Sequence, residues 1–183
     1  MLNLIPAYVY VFTILWIIPY YPSYRSFIRG GWKQPLACLV CSAAILSVLI
    51  LVSYDHLNEM LFMVPLLIVC MYVDWRDQEI PDFPVLLMYV YGVFFPEYHH
   101  TFSMIFCCLV LFPFTWSEML GIGDLKLMCA MALIAGWIAA LGFAAGSLFC
   151  IIHHFVKKES PDTKIPFAPY LCSGFLITLL AVM

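Results

Sequence analysis

Two aspartates stand at the ends of apolar segments in a chain that is otherwise poor in charge. Asp74 follows the apolar run from Leu61 to Val73, and Asp124 closes Gly121-Ile-Gly-Asp before another apolar run. Hydrophobic residues make up 65% of the 183 residues, and charged residues only 10%. A carboxylate at the edge of a bilayer core is costly, and an acid kept there commonly marks a functional site. The pattern therefore indicates a site built from two carboxylates.

Such a pair has a well-defined chemistry. Two carboxyl groups that lie close together cannot both ionise easily, so they share one proton. One member can then activate water while the other protonates a peptide carbonyl or a leaving amine. This is aspartic protease chemistry, and it needs no cofactor. The residues alone leave another interpretation open, because Asp124 and Asp82 each precede an apolar run as helix caps do, and ion pairing would also explain such acids.

Glycine and proline residues flank the two aspartates. Gly121 and Gly123 would leave Asp124 on a backbone without neighbouring side chains, so that an extended substrate could approach closely. Pro81 and Pro84 should interrupt any helix that continues past the first aspartate. We expect these residues to shape the site.

Other charged residues lie beside the two aspartates in sequence. Lys126 could orient a carboxylate, bind an acidic group of a substrate, or extend its amine to lipid headgroups. Asp77, Asp82 and Glu118 make the same region acidic. These acids could attract a basic peptide, or they could be ordinary solvated loop charges.

The composition indicates a membrane protein. Apolar stretches of about 18 residues recur along the chain, which is typical of membrane helices. No polar stretch is long enough for a separate soluble domain, so we predict one integral-membrane domain over residues 1–183. No basic segment precedes the first apolar run, which favours a retained helix over a cleaved signal peptide. The net charge is −3 and no basic stripe is present, so nucleic acid is not an expected partner.

The apolar runs predict an all-α, polytopic bundle of eight transmembrane helices. They cover residues 4–20, 35–53, 60–73, 84–96, 101–116, 125–136, 138–152 and 166–183. With the N-terminus outside, all eight Lys and Arg residues fall on the cytoplasmic side. The predicted cytoplasmic loops lie near residues 21–34, 74–83, 117–124 and 153–165. Two helices separate Asp74 from Asp124, so both should lie at the cytoplasmic face at similar depth.

The segment 125–152 could be one strongly tilted helix or two short ones. A single helix would send Lys157, Lys158 and Lys164 to the outside. The positive-inside rule therefore favours two short helices with a turn near Gly136 or Gly142.

Histidine and cysteine pairs are present, but we predict no metal site. His99-His100 and His153-His154 fall on opposite faces of the predicted topology. Cys38 and Cys41 have the spacing of a metal site, yet they lie inside an apolar run without a second ligand pair. Apolar packing is the expected role of these cysteines.

Three segments occur in a recognisable order. Asp74-Trp-Arg-Asp-Gln-Glu-Ile-Pro-Asp82 comes first, Gly121-Ile-Gly-Asp-Leu-Lys-Leu127 with Gly136-Trp137 second, and Lys164-Ile-Pro-Phe-Ala-Pro169 last. Together they resemble the type IV prepilin peptidase family, the bacterial members of the GxGD membrane aspartic proteases. The one difference within the motifs is Ala168, where glycine is usual. The resemblance covers about residues 60–183.

This resemblance implies that Asp74 and Asp124 are the catalytic pair of a membrane-embedded aspartic endopeptidase. Family members remove the leader of prepilins or pseudopilins just before the hydrophobic N-terminal helix. The resemblance thus implies such a substrate, a multi-pass location in the bacterial inner membrane, and cleavage at the cytoplasmic face. The supporting residues would be Gly121, Gly123, Lys126 and Pro81, with Asp77, Asp82 and Glu118 facing the substrate.

One departure from the family pattern changes the expected activity. Bifunctional members carry a cytoplasmic domain with paired Cys-x-x-Cys motifs between their first two helices, and they also N-methylate the product. Here that interval is only Tyr21 to Gln34 and contains no cysteine. We therefore predict a peptidase without methyltransferase activity.

Two other functions fit membrane acids. A small proton-coupled transporter would place its acids near the bilayer midplane and show repeated halves, whereas here the acids cluster at one predicted face and no internal repeat is evident. An inactive assembly scaffold of a pilus or secretion system would keep the fold and tolerate replacement of both aspartates.

Overall fold

The computed structural model of the protein describes residues 57–94, 100–157 and 165–182, which form six α-helices and no strand. The helices are α1 (Leu57–Asp77), α2 (Asp82–Phe94), α3 (Thr101–Trp116), α4 (Ile122–Ala135), α5 (Trp137–Lys157) and α6 (Ala168–Val182). The chain divides into two compact units, residues 1–69 and 70–183. The second unit contains both aspartates. The all-α prediction is thus confirmed over the described residues, and the predicted helices at 4–20 and 35–53 lie outside them.

Helix boundaries differ from the prediction on both sides of the first motif. α1 continues past Asp74 to Asp77, so Asp74 lies inside the helix rather than at its end. The helix that continues past Asp74 ends at Asp77, before Pro81 and Pro84, and Pro84 lies in the first turn of α2, which begins at Asp82. Proline is tolerated there because the first N–H groups of a helix have no intrahelical acceptor. The predicted loop near 74–83 is therefore only the segment 78–81.

The later boundaries are shifted in the same way. The loop predicted near 117–124 ends at Gly121, because α4 already begins at Ile122 and includes Asp124 in its first turn. The loop predicted near 153–165 starts later, since α5 runs to Lys157. Helices α1, α2, α4 and α5 thus extend beyond their apolar runs into polar residues that hydropathy alone assigns to loops.

The predicted break near Gly136 is present. α4 ends at Ala135 and α5 begins at Trp137, with Gly136 at φ 60° and ψ −133°. This backbone region is open to glycine and strained for other residues. The ring of His100 packs against Gly136, where an added Cβ would lie 3.0 Å from the ring.

Helix α4 is the central helix of the second unit. It packs against α2, α3 and α5. Its residues are buried on all sides from Leu125 to Ile134, with Lys126 as the exposed exception. A helix that is apolar all round belongs inside a bundle. Asp124 therefore lies in the first turn of the most buried of the described helices.

Helices α5 and α6 form the most extensive helix pair among the described residues. Their contact is made by glycines. A Cβ on Gly142 would lie 2.6 Å from Cα of Phe175, and a Cβ on Gly146 would lie 2.6 Å from the carbonyl oxygen of Tyr170. Gly174 packs directly on the backbone of Gly146. Small residues at such spacing let membrane helices approach to backbone contact.

In the described part of the chain, α5 alone is long and apolar enough to cross a bilayer by length and composition, and α2, α3 and α6 are shorter apolar helices. Many large apolar side chains lie on the surface of these helices. Phe155 and Val156 are each 76% exposed, and Trp116 is 80% exposed. A surface of this kind is typical of contact with lipid or with other protein.

Candidate active site

Asp74 is one of the few buried polar residues of the described structure, and it is only 5% exposed. It lies in the last two turns of α1. Its Oδ2 accepts a hydrogen bond of 2.9 Å from the backbone N–H of Ala168, the first residue of α6. Its own carbonyl oxygen accepts the N–H of Gln78, which has φ 55° and ends the helix. Hydrogen bonds thus fix both the backbone and the side chain of Asp74.

Asp124 lies in the first turn of α4, three residues after the N-cap residue Gly121. Its carboxylate accepts a hydrogen bond from the backbone N–H of Gly121. This is the geometry of the acidic partner in a capping box, where the third helical residue reaches back to the N-cap. Its Oδ1 is buried and has no hydrogen-bond partner within the described residues. Buried polar oxygens are rarely left unpaired, so this oxygen is available to a reacting group.

The two aspartates converge on one region. The charge of Asp74 acts on the carboxyl group of Asp124. The thiol of Cys172, which is buried in α6, interacts electrostatically with both of them. Residues from α1, α4 and α6 therefore meet at the pair. Two carboxyls close enough for the charge of one to act on the other can divide the roles of acid and base between them.

The glycines of the second motif are packed against neighbouring residues of the chain. A Cβ on Gly121 would lie 2.8 Å from Oδ2 of Asp124, and a Cβ on Gly123 would lie 3.0 Å from Cβ of Ile80. The absence of side chains thus lets the carboxylate fold back on its own backbone and lets the 78–81 segment approach α4. Close approach of a substrate to these glycines stays a prediction.

Lys126 has a partner on the protein surface. Its Nζ lies 2.9 Å from Oδ1 of Asp82, the first residue of α2, and both side chains are exposed. Its carbonyl oxygen accepts a 3.1 Å hydrogen bond from the hydroxyl of Tyr89. In the described structure Lys126 thus forms an ion pair with a carboxylate of α2. Its predicted role in supporting the active site stays a prediction. Asp82 is the first residue of α2, and its capping role stays a prediction.

The remaining predicted residues have simpler surroundings. Asp77 is exposed at the end of α1, 3.9 Å from Nε of Arg76. Pro81 is buried immediately before α2. Glu118 is exposed in the turn after α3 with φ 57°. The positions are compatible with the predicted roles of these residues toward a substrate and do not test them.

The histidines that the structure describes have separate local contacts. His100 packs on Gly136, and Nδ1 of His153 lies 2.8 Å from the hydroxyl of Tyr170. Nδ1 of His154 is buried and has no hydrogen-bond partner among the residues that the structure describes. Over the described ranges, no group of three or more His, Cys, Asp or Glu side chains could hold a metal ion. His99 lies outside those ranges.

Two features of the site were missed from sequence. The hydrogen bond from Ala168 to Asp74 links residues far apart in the chain, so no local sequence pattern predicts it. The glycine contact between α5 and α6 had a readable signal, because Gly142-Phe-Ala-Ala-Gly146 is a G-x-x-x-G pattern in an apolar helix.

Comparison with known proteins identifies one family. The profile of the type IV leader peptidase family matches residues 61–156, which is more than half of the chain and includes both aspartates. No curated protein and no solved structure gave a significant match. The matched segment ends before α6, so the contact of Ala168 with Asp74 is a finding of the structure.

Proposed function

Because the chain belongs to the type IV leader peptidase family, we propose that it is a membrane-embedded aspartic endopeptidase that removes the leader of type IV prepilins or pseudopilins. The peptidase activity follows from the family. The observation that supports the aspartic mechanism is that Asp74 lies close enough to Asp124 for its charge to act on the carboxyl group of Asp124.

In the proposed reaction Asp74 and Asp124 share one proton. The ionised carboxylate takes a proton from a water molecule, whose oxygen attacks the scissile carbonyl carbon. The protonated carboxyl gives its proton to the carbonyl oxygen. When the tetrahedral intermediate collapses, the C–N bond breaks. The leaving amine takes the proton held by one carboxyl, and a hydroxyl of the intermediate returns its proton to the other carboxylate. The pair then holds one proton again, and the net change is the addition of water across the peptide bond.

The backbone contacts of the two aspartates support these acid and base roles. Each carboxylate is bound through a main-chain N–H, Asp74 to Ala168 and Asp124 to Gly121. Fixed dipoles of this kind need no rearrangement during the reaction. The unpaired Oδ1 of Asp124 provides an oxygen for water or for the scissile carbonyl.

The proposed location is the cytoplasmic face of the bacterial inner membrane. Eight transmembrane helices with the N-terminus outside place all Lys and Arg residues on that side. The exposed apolar side chains of the described helices support contact with lipid. A prepilin held in the bilayer by its hydrophobic helix would present its leader junction at this face.

The proposed activity ends with cleavage. The interval between the first two predicted helices, Tyr21 to Gln34, contains no cysteine and is too short for a methyl-donor domain. The product should therefore carry an unmethylated N-terminus, which mass spectrometry of the cleaved pilin measures directly.

The deciding experiment is cleavage of co-expressed candidate prepilins, read as a shift in gel mobility and as the mass of the product. Asp74→Asn and Asp124→Asn should each abolish cleavage while the protein stays in the membrane. Asp162→Asn is the matched control, because it makes the same change in a residue that belongs to none of the motifs. Wild-type cleavage rates in either active-site variant would falsify the paired mechanism. An inactive scaffold would support assembly in both variants without cleaving.

Topology has a separate test. Ser117→Cys lies in a loop predicted to be cytoplasmic, and Glu97→Cys lies in a predicted outer loop. A membrane-impermeant maleimide added to intact spheroplasts should label the second and not the first, after subtraction of labelling at the native cysteines. The reverse pattern would overturn the orientation and leave the peptidase assignment intact.

A further inference from the structure

The N-terminus of α6 is aimed at a buried carboxylate. We propose that the backbone N–H of Ala168 is a positioning group for Asp74, and that the glycine contact between α5 and α6 sets its place. This inference rests on the proposed function, since Asp74 is a member of the proposed catalytic pair. It adds a third helix to a site whose two acids lie on α1 and α4.

The other N–H groups at the start of α6 are already accounted for. The first N–H groups of a helix have no intrahelical acceptor. Pro169 has no N–H, and the N–H groups of Tyr170 and Leu171 both donate to the carbonyl of Phe167 at 3.0 Å. The N–H of Ala168 is thus the one that reaches Oδ2 of Asp74, at 2.9 Å. The positive end of the helix dipole lies at the same point, which favours an acceptor with negative charge.

The hydrogen bond is enclosed by protein. Ala168 is fully buried and Asp74 is 5% exposed, so water cannot easily replace the donor. A hydrogen bond to a charged acceptor is stronger than one between neutral groups, and a buried acceptor that loses its donor is left with a large desolvation penalty. The carboxylate is therefore held in one orientation, with Oδ2 engaged.

Two contacts fix where α6 begins. Gly174 packs on the backbone of Gly146, so that α6 cannot slide along α5 without a clash. Near the start of α6, the hydroxyl of Tyr170 lies 2.8 Å from Nδ1 of His153 in α5. Ala168 lies two residues before Tyr170. The position of its N–H is thus set by the packing of α5 and α6.

Loss of this donor should affect the chemical step more than substrate binding. Ala168 contacts the acid and is itself buried, so a substrate does not need to touch it. A misplaced catalytic group of this kind lowers kcat by about ten- to a hundred-fold, with KM nearly unchanged.

The test compares Ala168→Pro with Ala168→Gly. Proline suits the first position of a helix and replaces the N–H by a ring methylene, and Phe167 before it is not helical. Glycine keeps the N–H and removes the methyl group. Rates are measured with purified protein and a prepilin that the wild type cleaves. Ala168→Pro should lose about ten- to a hundred-fold in kcat, whereas Ala168→Gly should keep kcat within about three-fold. Equal loss in both variants, or wild-type kcat in Ala168→Pro, overturns the proposal.

A second measurement reads the contact without catalysis. The thermal midpoint of Ala168→Pro should fall below that of Ala168→Gly, and this gap should close when Asp74 is replaced by Ala. A gap of the same size in both backgrounds overturns the contact. Replacement of Ala168 by lactic acid exchanges the N–H for an ester oxygen, keeps the methyl group and adds no ring. It should lose kcat as Ala168→Pro does, and wild-type kcat in this variant overturns the proposal even if proline prevents folding. If the wild type cleaves no prepilin, the proposed function fails, and the thermal cycle alone decides whether Ala168 holds Asp74.

Discussion

Gly121 has no side chain at the place where the carboxylate of Asp124 folds back, and a Cβ there would lie 2.8 Å from Oδ2. The same carboxylate accepts the N–H of Gly121. The first glycine of Gly-Ile-Gly-Asp thus helps to position the carboxylate of the aspartate. A second observation agrees, because Gly123 gives room to Ile80 from the segment that follows α1.

Gly121→Ala should therefore reduce cleavage with little loss of stability. The added methyl group meets the flexible end of a side chain, so the carboxylate moves and the backbone need not. We expect kcat to fall by about ten-fold or more, because a displaced acid is poorly placed for proton transfer, while the thermal midpoint changes by only a few degrees. Kinetics on purified protein check both values. Met119→Ala, in the same exposed turn, is the control, and unchanged kcat in Gly121→Ala would contradict this account.

Gly174→Ala should act in the opposite way, mainly on stability. Its methyl group would meet the backbone of Gly146, which cannot rotate aside. Forcing extra volume into a close contact costs about 1–3 kcal/mol. Thermal unfolding in detergent should show a clear drop in midpoint. Ala144→Leu adds more volume on an exposed part of α5 and should leave the midpoint unchanged. If the thermal midpoint fell by a similar amount in both variants, added volume anywhere on these helices would destabilise them, and the glycine contact would not be the cause.

The pair formed by Lys126 and Asp82 should contribute little to stability. Both side chains are exposed, and exposed ion pairs typically contribute about 0–1 kcal/mol. Lys126→Met, Asp82→Asn and the double variant should differ only slightly in midpoint, and all three should keep kcat within about three-fold, since a surface pair is screened by solvent. A much larger loss of kcat in Lys126→Met than in Asp82→Asn would instead assign Lys126 to the reacting groups.

Glu118 ends α3 in a conformation that suits glycine. With φ 57°, its N–H donates to Thr115 and the N–H of Met119 donates to Phe114, which is the Schellman arrangement. A left-handed residue with a side chain costs about 1 kcal/mol. Glu118→Gly should raise the thermal midpoint, and Glu118→Gln should not.

The same two variants test the charge of Glu118. If this acid attracts a basic leader, both variants should raise KM equally at low ionic strength, and the difference should fade as salt is added. A KM that rises only in Glu118→Gly would point to the shape of the turn.

The sequence by itself determined the helical elements from residue 60 onward and singled out the two aspartates. The apolar runs from residue 60 onward correspond to described helices, and the break at Gly136 follows from charge and from glycine. These features are local, because hydropathy and turn residues act within a few positions of the chain. The two aspartates were identifiable for the same reason, since an acid beside an apolar run is costly wherever the run packs.

Only the tertiary structure decided how the aspartates are held. Asp74 receives its hydrogen bond from Ala168, and the exposed Lys126 is paired with Asp82 of α2. Such contacts depend on which faces of the helices pack together and at what depth. The packing of helix faces is determined by side-chain volume and by close backbone approach, as at Gly146 and Gly174. Hydropathy along the chain carries almost no information about either.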